Sequence, residues 1–284
     1  MNTGEARSQK AAGGPSVGFL GSSLRVLDFT IGEMLWSRRT VFMALIVGGP
    51  VVIAVILRVI VFLDVTRNEL PGPTLFGLMV WVFYLWLIVP LLGVFYGTSL
   101  IADEVEDKTI TYLFTRPVSR GAVLFGKYLG CLICTSVVVL PSVVLVYFLI
   151  TPLRGGDIGA NFPALVTDVG LLLLGLAVYG ALFALVGAWF KRPLLTGLVF
   201  AFGWEPLAVL LPGYMKNATV AYYLHGLVPH TMPQGALNAF QGLLQTFHSD
   251  AAVWINLTSL VVIGIVALGA AVWAVEHREY VLEQ

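Results

Sequence analysis

Six apolar runs of eighteen or more residues divide this chain, and no other feature restricts its fold as strongly. They cover residues 41–63, 75–102, 123–151, 165–190, 194–211 and 253–275. Runs of this length are membrane-helix candidates. Hydrocarbon offers backbone N–H and C=O groups no partners, so such spans must be helical. The expected fold is all-α: a polytopic membrane protein with six transmembrane helices. Composition agrees, since only 11% of the 284 residues are charged against roughly 25% in a globular domain. The formal net charge of zero gives no overall attraction to nucleic acid. At about 1.5 Å per residue the second and third runs overshoot a ~30 Å hydrocarbon core, so tilt or projection into water is expected.

Lysine and arginine placement predicts the orientation. With the N-terminus inside, the inner side holds Arg7, Lys10, Arg25, Arg38, Arg39, Lys108, Arg116, Arg120, Lys127, Lys191, Arg192 and Arg278. The outer side holds Arg67, Arg154 and Lys216, with Arg58 near the outer end of the first run. Both termini are therefore expected in the cytoplasm of a multi-pass protein of the cell (inner, plasma) membrane. Residues 1–21 are polar and glycine-rich, read as a disordered cytoplasmic tail with no cleavable signal peptide; residues 22–284 are read as a single transmembrane domain. Within it, 24–39 carries Leu24, Leu27, Ile31, Met34 and Leu35 on one stripe, which predicts an amphipathic helix on the inner membrane surface. Residues 212–250 form the long outer connection, read as short interfacial or re-entrant helices.

Residues 121–128, GAVLFGKY, nearly spell a phosphate-binding loop. Such a loop ends in Ser or Thr to hold magnesium and sits between a strand and a soluble helix. Here Tyr128 follows Lys127 and an apolar run follows both, so ATP binding by this chain is not expected. Lys127 is read instead as reaching the inner headgroups. Cys131 and Cys134 share a helical face inside the third run and are read as packing residues, because no second ligand pair accompanies them. His225, His230 and His248 do not share a helical face, so no metal site is assigned. No Ser/His/Asp set or soluble carboxylate pair is present either, and the chain is not expected to be an enzyme.

The inner loop at 103–120 is more informative. Asp103, Glu104, Glu106 and Asp107 come first and Arg116 and Arg120 last, the charge order a helix dipole favours. Ile110, Leu113 and Phe114 form an apolar face between them, and Pro117 ends the helix. This predicts a short cytoplasmic helix with an exposed apolar face between the second and third spans.

That loop resembles the coupling segment of ABC-2 type permeases, the membrane subunits of ABC exporters. The resemblance rests on Glu104, Glu106, Thr109, Leu113, the Pro117-Val118-Ser119-Arg120 stretch and Gly126-Lys127, with Lys108 standing where the family has glycine. The surface helix at 24–39 and the Trp204-Glu205…Leu211-Pro212-Gly213 pattern extend it along the chain from Leu24. The resemblance implies a transport permease, the membrane subunit of an exporter; the spans, rich in Leu, Val, Phe and Trp with few polar groups, favour a lipid-like or amphipathic substrate. A separate cytoplasmic ATPase subunit would supply ATP and Mg, leaving no cofactor in this chain. A second permease copy or a paralogue would complete the transporter, as a homodimer in the simplest case. It also implies that Glu104, Glu106, Thr109, Ile110, Leu113, Phe114, Arg116, Pro117 and Arg120 form the docking surface. Two alternatives stay open: a secondary transporter or channel using Glu205, and a non-transporting anchor for an ATPase.

Charges at membrane depth are functional candidates. Glu205 precedes Pro206, which predicts a break at Gly203-Trp204-Glu205 with the carboxylate capping freed N–H groups; a place on the substrate path is the alternative. Arg58 is expected to snorkel outward toward Asp64 or Glu69, or to meet an anionic substrate. Asp168 is expected to be hydrated.

Overall fold

The computed structural model of the protein describes residues 32, 38–63, 71–101, 120–211, 214–229 and 252–277. The tail expected at 1–21, the amphipathic helix expected at 24–39 apart from Gly32 and its last two residues, the loop at 103–120 apart from Arg120, and much of the outer segment lie outside these.

All regular elements among the described residues are helical. They are α1 (Arg38–Phe62), α2 (Gly72–Ile101), α3 (Arg120–Ile150), α4 (Ile158–Trp189), α5 (Pro193–Val209), α6 (Val220–His225) and α7 (Val253–His277). Five of them, α1, α2, α3, α4 and α7, are long and apolar enough to cross a membrane. The fifth expected span, α5, is helical but shorter than the other five, and its length alone does not establish a crossing.

Starts and ends differ from the apolar runs where polar residues take part. Helix α4 begins seven residues before its run, because Asp157 is an N-cap whose Oδ1 accepts from Gly159 N at 2.9 Å. That places Asp168 ten residues past the helix start at Ile158, where it is fully buried rather than hydrated as expected. Pro50, Pro90, Pro141 and Pro163 all lie inside helices, which membrane helices accommodate when neighbours satisfy the freed backbone groups. In α2 the accommodation is a change of winding. Val80–Ile88 and Gly93–Gly97 are π-helical on either side of Pro90, and Val89 N bonds back five residues to Tyr84 O. Widening the turn lets the chain pass a residue that has no N–H to give.

Helix α4 is the hub, packing against α2, α3, α5, α6 and α7, while α1 rests mainly on α3. Close approach of α2 to α4 depends on absent side chains. A Cβ on Gly97 would lie 2.8 Å from Phe183 Cβ, and one on Gly187 would lie 2.6 Å from Thr98 O. Small residues at such seams let membrane helices pack closely where no hydrophobic effect drives them together.

Tyrosine hydroxyls tie the helices together inside the bundle. Tyr84 and Ser142 share a 2.6 Å bond, and Ser142 donates to Val47 O at 2.9 Å, joining α2, α3 and α1. Tyr96 donates to Thr40 (2.8 Å), joining α2 to α1, and Tyr128 to Ala177 O (2.9 Å), joining α3 to α4. A buried phenol needs such a partner.

Candidate functional site

Glu205 is the centre of a polar junction that unites three elements around a carboxylate. It is 2% exposed. Tyr179 of α4 donates its hydroxyl to Glu205 Oε2 in a short bond, and Val220 N donates to Oε1 at 3.1 Å. The next amide, of Ala221, also donates to this carboxylate. Thr219 completes the arrangement: its Oγ1 accepts from Tyr222 N at 3.4 Å and donates to Lys216 O at 2.8 Å. The first three N–H groups of α6 are thereby satisfied, in a helix whose ends would otherwise be orphaned inside the protein.

The local reason differs from the expected one. The chain does not break at Gly203-Trp204-Glu205. Phe200–Trp204 winds as a π-helix, Glu205 N bonds to Phe200 O, and the helix continues through Pro206. The wider turn absorbs the proline, as in α2. The carboxylate is therefore released from its own helix and caps a different one.

Around it lies a cavity of about 10 Å³ lined by Leu85, Trp86, Pro90, Tyr179, Ala201, Glu205, Pro206 and Ala221. The lining comes from both helices that carry π turns. One water is the most that such a volume holds. Tyr179 is ten residues from the end of α4 at Trp189, about 15 Å along the axis, so the junction sits well inside the bundle. Helix α6 packs on α2, α4 and α7, and five of its six residues are buried. His225 closes this packing with its ring 4.6 Å from that of Trp81.

The other singled-out residues fall elsewhere. Arg58 Nη1 donates to Leu149 O at 2.8 Å, so the guanidinium caps the last turn of α3, where a cation is favoured; Asp64 and Glu69 lie outside the described residues. Lys127 reaches Leu100 O at 3.5 Å, beside the described end of α2. Cys131 and Cys134 are buried free thiols on α3. Glu104, Glu106, Thr109, Ile110, Leu113, Phe114, Arg116 and Pro117 lie outside the described residues. Arg120 is the first residue of α3. Its neighbour Gly121 faces α7, where an added Cβ would lie 2.8 Å from both Glu276 Oε1 and Val272 Cγ1.

Sequence reasoning missed Tyr179, Thr219 and the α6 amides as partners of Glu205. The available signal was Tyr179 itself, a phenol in a long apolar run that had to find an acceptor. Thr219 is also an N-cap residue type preceding a short apolar stretch.

No curated protein matches the chain. A family profile described as "ABC-2 family transporter protein" matches residues 5–279, which spans every helix described above and the loop between α2 and α3. This chain therefore belongs to the ABC-2 transporter family of membrane proteins.

Proposed function

We propose that the chain is the permease subunit of an ATP-driven exporter, powered by a separate cytoplasmic ATPase that docks on residues 103–120. Family membership over residues 5–279 is the observation that carries this reading. The loop's own chemistry supports it, with acids first, bases last and Ile110, Leu113 and Phe114 on one apolar face.

In this mechanism ATP binding closes the ATPase pair and moves the docking helix of each permease. The motion enters α2 and α3, which the loop joins. It also enters α7, because Gly121 at the start of α3 seats against Val272 and Glu276. A cavity between two permease copies then changes which side of the membrane it faces. The cargo biases that change only through different affinity for the two states. The apolar character of the spans favours a lipid-like or amphipathic cargo.

The double substitution Leu113→Asp with Phe114→Asp tests the docking assignment. The variant is expected to insert and purify like the parent while losing ATPase co-purification and export. Retention of both would remove the assignment. The rival, ion-coupled transport through Glu205, predicts export that continues in ATP-depleted cells holding a proton gradient. Its carboxylate is already engaged by Tyr179 and by α6, which favours a structural latch over an ion-carrying group.

A further inference from the structure

Between α1 and α2 runs a groove of about 370 Å³ lined by Ile53, Leu57, Leu75, Leu78, Met79, Val82 and Phe83, with no polar lining at all. From Leu75 to Phe83 it follows α2 for about 12 Å. One leaflet of a ~30 Å hydrocarbon core is about 15 Å deep. The groove thus covers most of the depth of a single leaflet and begins three residues inside the start of α2 at Gly72. Its other wall, Ile53 and Leu57, lies in the last turns of α1. At this end the chain also carries a cation. Arg58 follows Leu57, is exposed, and holds its guanidinium against Leu149 O, one residue from the end of α3. That is the level of the lipid headgroups for a helix that ends at Ile150.

We propose that the groove between α1 and α2 binds an acyl chain of an anionic phospholipid from the surrounding leaflet, with Arg58 facing its phosphate. The lining matches a hydrocarbon chain in polarity and follows it through most of one leaflet. The guanidinium supplies the charge complement at the depth where the headgroup lies. One N–H of Arg58 is committed to α3, which fixes the group in place. The proposal rests on membrane insertion of α1 and α2 and is independent of what drives transport.

The test uses the full chain in phosphatidylcholine nanodiscs containing a trace of photoactivatable lipid, with a diazirine midway along one acyl chain and either a phosphatidylglycerol or a phosphatidylcholine headgroup. Crosslinked residues are mapped by mass spectrometry. The expected result is labelling concentrated in 53–57 and 75–83 over the exposed side of α1 at Leu45 and Val52. The phosphatidylglycerol probe should exceed the phosphatidylcholine probe about fivefold, the effect of one basic residue near an anionic headgroup. Arg58→Lys should keep that preference and Arg58→Gln should abolish it. Leu78→Trp, which fills the groove, should remove labelling by both probes. Because Arg58→Gln also loses the cap on α3, Leu57→Trp serves as a second groove variant that leaves the arginine intact. Labelling spread evenly over α1, or no headgroup preference, would overturn the proposal. So would disulfide formation between copies carrying Leu78→Cys, which would mean that a second protein chain fills the groove.

Discussion

At the scale of single residues, Glu205 shows how a costly group is retained. A carboxylate inside a helix bundle is expensive unless its lone pairs are engaged. Here Tyr179, Val220 and Ala221 engage them. Glu205→Ala would strand two amides and a phenol, each worth about 1–3 kcal/mol when buried without a partner. We expect that variant to lower the thermal midpoint in detergent and to speed amide exchange at 220–225. Glu205→Gln keeps an acceptor for Val220 and should lose less. If the two behave alike, the capping role is wrong. Part of this was legible: an acid beside Pro206 at membrane depth signalled a cap. The recipient was not, because α6 lies fifteen residues away and nothing in local spacing links the two. Asp168 erred the other way, since its burial follows from a helix start set by Asp157 and not by the apolar run.

At the scale of elements, hydropathy located the long helices because the bilayer fixes both their length and their polarity. It did not reveal the π-helical stretches. Those depend on how Pro90 and Pro206 are absorbed, and an unbroken helix and a broken one have the same apolar content. Nor did it reveal which glycines are seams. Gly97 meets Phe183 while Gly48 on α1 has nothing within 4 Å of an added Cβ. Gly97→Val should therefore cost about 1–3 kcal/mol by overpacking. Gly48→Ala should be neutral or stabilising by up to about 1 kcal/mol through helix propensity. Thermal unfolding of the two variants in one detergent distinguishes them, and equal effects would show that the α2–α4 seam tolerates separation.

For the whole molecule, the number of bilayer crossings turns on the 17-residue helix α5. Single cysteines at Ala160, Arg192 and Met215, all exposed positions, give a direct answer with an impermeant thiol reagent, since the native thiols are buried. Ala160→Cys and Arg192→Cys should label from opposite sides, because α4 separates them. If α5 crosses, Met215→Cys labels from the side of Ala160; if it does not, from the side of Arg192. Charge placement predicts a cytoplasmic Arg192, so its labelling only after permeabilisation is the expected outcome. The apolar runs made the long helices readable, and charge order supplies the expectation of sidedness that the labelling tests. Residues 103–120 were readable as a charge-ordered motif, and the partner proposed for them is another polypeptide, which no packing within this chain can reveal.

The brevity of α5 has a consequence for the surrounding membrane. Seventeen residues rise only about 26 Å, against about 45–48 Å for α2 and α4, on which it packs. A crossing by α5 leaves the bilayer too thick on that flank and amply matched on the others. The lipid must thin locally or the helix must sink, at a fraction of a kcal/mol per ångström. Activity should then rise in short-chain lipids and fall in long-chain or sterol-stiffened ones, making membrane thickness itself a control variable for this protein.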